Sequence, residues 1–110
     1  MSAQLACLAG DVPVAGALRV ALDGAAGSVE VAVIRDESGQ LHALSDLCSH
    51  GQVSLSDGEV EGATVECWLH GSRFDLRTGA PLSPPAVRAV PVYPLTVEGE
   101  RVLVDVDAPL

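Results

Sequence analysis

Two short motifs concentrate the residues of this chain that could do chemistry: Cys48-Ser49-His50 and Cys67-Trp68-Leu69-His70. Sixteen residues, Gly51 to Glu66, lie between them. Of three cysteines and three histidines, only Cys7 and His42 fall outside. Thiolate and neutral imidazole are soft-to-borderline ligands for the same metals, iron and zinc among them. Two Cys-His pairs therefore point to a metal held between two loops, and the ligand set alone leaves both metals open.

The flanks of the motifs supply the scaffold. Leu18, Val20 and Leu22 alternate with Arg19, Ala21 and Asp23, the period of a half-buried strand. Gly24 to Ser28 reads as a turn, Val29 to Arg35 as the next strand, Asp36 to Gln40 as a second turn and Leu41 to Leu44 as the returning strand. Val90 to Val97 reads as one strand whose prolines, Pro91 and Pro94, place it at a sheet edge or a bulge. Glu98-Gly99-Glu100 turns the chain into Arg101 to Val106, which again alternates. From about Asp46 to Pro85 the periodicity weakens and Gly, Ser, Asp, Pro, Cys and His accumulate. That is loop chemistry set into a strand framework, where sites usually lie. No amphipathic helix longer than one or two turns is expected.

Composition bounds the function. The 110 residues suit one domain, and 48% hydrophobic content argues against disorder. The formal net charge is −9, with six arginines and no lysine. Such a surface opposes binding to nucleic acid and anionic membranes and favours a basic protein partner, or serves only solubility. No apolar run approaches a membrane span, and Met1 to Cys7 lacks the basic and apolar regions of a signal peptide. An odd cysteine count fits a reducing compartment, so the expected location is cytoplasmic.

Cys-x-His followed by Cys-x-x-His resembles the Rieske [2Fe–2S] signature, and Glu66-Cys-Trp-Leu-His-Gly-Ser-Arg-Phe-Asp-Leu-Arg-Thr-Gly79 extends the resemblance. It implies an all-β Rieske-like fold: antiparallel sheets or a sandwich with an inserted cluster-binding subdomain. The single domain, 1–110, would divide into a cluster-binding part of about 46–85 and a basal part of about 1–45 plus 86–110. Cys48 and Cys67 would hold one iron and His50 and His70 the other. The loop Leu82-Ser83-Pro84-Pro85 would cover the cluster. Two neutral imidazoles in place of thiolates remove negative charge, which raises the potential above that of four-cysteine ferredoxins.

The resemblance also separates branches. The respiratory branch adds a cysteine to each loop, at positions held here by Val53 and Leu69, so its disulfide is not expected. That branch's tuning serine is present as Ser72, but its tuning tyrosine is replaced by Phe74, which donates no hydrogen bond to sulfur. A potential in the lower part of the Rieske range follows, lifted above the lowest members by Ser72. His42 alone cannot supply the two histidines of a mononuclear oxygenase iron, and no dinucleotide fingerprint is present. The implied role is a soluble monomeric ferredoxin with no catalytic site of its own. It would carry single electrons from a flavin-dependent NAD(P)H reductase to a terminal oxygenase or other acceptor. The alternatives are a carrier attached to iron–sulfur cluster assembly, since the stretch from Glu66 to Gly79 also resembles small Rieske proteins beside such systems in high-GC actinobacteria, and a structural Cys2His2 zinc module. Trp68 is open to partner contact or packing. Arg73 and Arg77 are open to steering a partner or pairing with Asp75 or nearby glutamates. Asp57, Glu59, Glu61 and Glu66 are open to docking or simple solvation.

Overall fold

The computed structural model describes residues 3–47, 53–68, 71–82 and 88–110. Among these the chain forms ten strands: β1 (Gln4–Leu8), β2 (Gly16–Gly24), β3 (Gly27–Arg35), β4 (Leu41–Ser45), β5 (Glu59–Glu61), β6 (Thr64–Glu66), β7 (Arg73–Asp75), β8 (Val92–Tyr93), β9 (Leu95–Glu98) and β10 (Arg101–Val104). Single 3₁₀ turns occupy Ala9–Asp11 and Leu55–Asp57. All the strand pairings are antiparallel, in three sheets of order β1-β10-β9, β2-β3-β4-β8 and β5-β6-β7. The all-β expectation holds.

The middle sheet organises the other two because β3 is buried on both faces. Val31, Ala32, Val33 and Ile34 are all inaccessible to solvent. With side chains alternating along a strand, Val31 and Val33 join Leu22, Ala43, Tyr93, Val102 and Val104 in one core. Ala32 and Ile34 join Leu44, Leu55, Val65, Cys67, Phe74, Leu76, Val90 and Val92 in the other. The first core seals the sheet β1-β10-β9 onto the middle sheet, and the second seats β5-β6-β7 on the opposite face.

Two expectations need correction. The single strand expected from Val90 to Val97 is two. β8 pairs with β4 at the edge of the middle sheet, and β9 pairs with β10 at the edge of the first. Pro94 lies between them without an amide donor, so the ladder cannot continue and the chain changes sheets. Both pieces occupy edges, as the prolines require. The stretch read as loop chemistry contains β5, β6 and β7. Each has three residues, too few to show a period, and their apolar content is one cross-strand row, Val60–Val65–Phe74.

The β3–β4 turn is fixed by a buried polar pair. Asp36 Oδ1 accepts hydrogen bonds from the Ser38 amide at 2.9 Å, the Ser38 hydroxyl at 2.6 Å and the Gln40 amide at 3.0 Å. Asp36 Oδ2 lies 2.9 Å from His42 Nε2, which must donate to it because a carboxylate only accepts. Burial works to raise the Asp36 carboxyl, but the bonds from His42, Ser38 and Gln40 outweigh it and hold the group well below the usual carboxylate range. A depressed folded-state pKa stabilises the protein at pH above the unfolded carboxylate value, about 3.9, and that stability is lost as pH falls below it. Asp36→Ala should cost about 3 kcal/mol, because it leaves a buried histidine without its partner. Urea unfolding should show this as a lower midpoint at unchanged slope, with the margin over the variant narrowing below about pH 4.

Candidate metal centre

Of the four expected ligands, the described residues include Cys67; Cys48, His50 and His70 lie outside them, as do Leu69 and the loop prolines Pro84 and Pro85. What is described is the base from which each of the three loops leaves.

The second motif rises from the end of β6. The Cys67 amide donates to the Ser72 carbonyl at 2.7 Å, and the Gly71 amide donates back to the Cys67 carbonyl at 2.9 Å. These two bonds close the turn at both ends. The Cys67 thiol is free, fully buried, and packed in the core with Leu55, Val65, Phe74 and Leu76. Trp68, one residue later, is 55% exposed.

The segment leading into the first motif is anchored by Asp46, a residue the sequence did not single out. Asp46 is buried. Its amide donates to the Glu30 carbonyl at 3.0 Å, its carbonyl accepts from Leu55 at 2.6 Å, and its carboxylate Oδ1 accepts from the Ser56 amide at 2.9 Å. Leu47 and Ser54 are bridged above it, and Arg19 of β2 donates to Ser54 Oγ at 3.1 Å. An Asp two residues before a ligand motif, with Ser-Leu-Ser eight to ten residues on, was the available signal. Gly58 joins this base to the second: a Cβ there would run into the Glu66 carbonyl, so only glycine lets the 3₁₀ turn lie against β6.

The third loop is pinned at both ends. The Leu82 amide donates to the Arg73 carbonyl at 2.7 Å and the Val90 amide to the Gly79 carbonyl at 2.9 Å. Gly79 has φ of 77°, and a Cβ there would strike the Val90 carbonyl. Leu55, Cys67, Phe74 and Val90 belong to one core, so the bases of all three loops share a single rigid support.

The remaining candidates sort clearly. Ser72 and Phe74 are both fully buried, directly after the second loop. Val53, at one of the respiratory-branch cysteine positions, is half-buried and packs against the same core. Arg73 binds Glu61 at 3.0 Å and Glu66 at 2.9 Å, the pairing alternative rather than the steering one, and it removes both glutamates from the set of simply solvated acids. The Asp75 carboxylate accepts instead from the backbone amide of Arg77, at 2.7 Å. Cys7 lies half-buried on β1, and burial, with the Asp11 charge adding to it, pushes its thiol up, away from ligand chemistry.

The chain belongs to the Rieske [2Fe–2S] domain family, whose model matches residues 2–94. It is 38% identical over 95 residues to the ferredoxin component of the naphthalene 1,2-dioxygenase system of Pseudomonas aeruginosa, covering 86% of each chain. It is 39% identical over 106 residues to the 3-phenylpropionate/cinnamic acid dioxygenase ferredoxin subunit of Shigella boydii, covering 96% of this chain and 94% of that one. Among solved structures it resembles a chain in the complex of reduced oxygenase and oxidized ferredoxin in carbazole 1,9a-dioxygenase, with TM-score 0.84 and 31% identity over 98% of this chain and 96% of that chain. The protein is a Rieske ferredoxin, an electron carrier with a Rieske-type [2Fe–2S] cluster. A buried, free cysteine at the base of a braced turn fits an inner-iron thiolate.

Phe74 offers no hydroxyl toward the cluster, so a redox titration should place the midpoint in the lower part of the Rieske range; a value above about +200 mV would contradict this. Gly79→Ala should destabilise the apoprotein by about 3 kcal/mol, combining backbone strain with overlap onto Val90. Gly62→Ala, at positive φ but in open space, should cost only about 1 kcal/mol in the same thermal unfolding assay.

Proposed function

We propose that this chain is the ferredoxin component of a multicomponent oxygenase. It receives single electrons from a flavin-dependent NAD(P)H reductase and delivers them to a terminal oxygenase. Cys48 and Cys67 hold the inner iron, and His50 and His70 the outer one. When bound, the cluster supplies reversible one-electron chemistry at a raised potential. The residues about 46–85 act as the cluster-binding part on a basal framework of about 1–45 and 86–110. The protein works as a cytoplasmic monomer and makes or breaks no bond in an organic substrate.

The observation that carries this reading is the set of exposed apolar side chains beside the loops. Leu47, Trp68 and Leu82 are 54%, 55% and 55% exposed; Leu47 directly precedes the first motif, Trp68 lies within the second and Leu82 opens the third loop. A groove of about 480 Å³, lined by Arg19, Val29, Glu30, Asp46, Leu47 and Ser54, continues from Leu47. A small apolar rim suits a docking face that must release its partner after each transfer. His42, bonded to Asp36 in the core, supports a carrier over an oxygenase. Among the described residues no helix is long and apolar enough to cross a membrane.

His50→Ala and His70→Ala should each abolish the visible spectrum of the cluster, whereas Cys7→Ala should retain it. Trp68→Ala should keep the cluster but slow electron delivery to a partner oxygenase about tenfold, the loss of about 1.4 kcal/mol of docking energy. Reduction of an oxygenase at the wild-type rate by Trp68→Ala would refute the docking face.

A further inference from the structure

Arg73 does more than close a strand pair. It stands opposite Glu66 in the β6–β7 register, and Glu66 immediately precedes Cys67. One guanidinium nitrogen, Nη2, lies 2.9 Å from Glu66 Oε1 and 3.0 Å from Glu61 Oε1, while Nη1 donates to Thr64 Oγ1 at 3.4 Å. The other oxygen of Glu66, Oε2, lies 3.5 Å from where a Cβ on Gly71 would stand. The carboxylate therefore rests against the turn that presents the second motif. Through its carbonyl, Arg73 also anchors Leu82 at the base of the third loop.

The two glutamates differ in weight. The Glu61 side chain is 70% exposed, and water screens its charge. Those of Glu66 and Arg73 are 32% and 35% exposed, so their charges act through a poorer dielectric. A carboxylate fixed next to a cluster ligand opposes the arrival of an electron. The guanidinium beside it offsets that opposition.

We propose that Arg73 is a positioning residue which, by clamping and neutralising the Glu66 carboxylate, sets the reduction potential of the cluster. The inference rests on Cys67 being a cluster ligand. Its signature is a pattern of signs. Arg73→Gln leaves Glu66 uncompensated and lowers the midpoint. Glu66→Gln removes that negative charge, with the guanidinium still paired to the exposed Glu61, and raises it. The double variant replaces a neutral pair with a neutral pair and returns the midpoint toward that of the wild type. Arg73→Lys keeps the charge and stays near wild type. Glu61→Gln moves the midpoint less than Glu66→Gln.

The test is a redox titration of the loaded proteins, followed by visible absorption, together with thermal unfolding of the apoproteins. Opposite shifts that cancel in the double variant, with a lower melting temperature for Arg73→Gln that Arg73→Lys restores, support the proposal. Unmoved midpoints, or shifts of the same sign in both single variants, overturn it. If Arg73→Gln does not load, Glu66→Gln decides alone: an unchanged or lowered midpoint overturns the proposal. A loaded Cys67→Ala with the unaltered Rieske spectrum would refute the ligand assignment itself, whereas an intact wild-type spectrum with unmoved variant potentials refutes only the role of Arg73.

Discussion

The double-sided burial of β3 is the constraint on which the rest of the structure depends. Val31 and Val33 face one core, Ala32 and Ile34 the other, and none is accessible to water. A register slip of one residue would exchange the two sets and mismatch both cores at once. The nine-residue pairing of β3 with β2, Gly16↔Arg35 through Gly24↔Gly27, resists such a slip. The loop-bearing sheet is thus mounted on a strand whose position is set by packing on the far side of the molecule. Rigidity at the site comes from a hydrophobic core, with hydrogen bonds at the loop bases adding precision.

That arrangement suits electron transfer. The described bases of the three loops converge on the core containing Leu55, Cys67, Phe74 and Val90, and the close approaches at Gly58 and Gly79 lock neighbouring segments together. A stiff support keeps the geometry of a metal ligand the same before and after the electron arrives. The exposed Leu47, Trp68 and Leu82 are then free to serve contact with a partner.

Much of this was legible in the residues. The Leu18–Val20–Leu22 alternation and the turn at Asp36 mark the β2–β3–β4 meander because long strands buried on one or two faces leave a period. The motif pairs mark the family because their residue types and spacing are local in the chain. Less was legible where the decisive contacts are distant. The strands β5 to β7 are defined by one row of three side chains and by packing against β3. The break at Pro94 hides inside a run that reads as one strand, since only the two different partners, β4 and β10, reveal the switch. Asp46 and the Arg73–Glu66 pair look like ordinary surface charges until the fold places a backbone amide or a carboxylate opposite them.

The central claim is a two-iron cluster with two cysteine and two histidine ligands. It is tested most directly by pulsed EPR of the dithionite-reduced protein. The account predicts an average g below that of four-cysteine ferredoxins, with two histidine nitrogens strongly coupled to the electron spin. An average g matching four-cysteine ferredoxins, or a reduced protein with no signal, would contradict it.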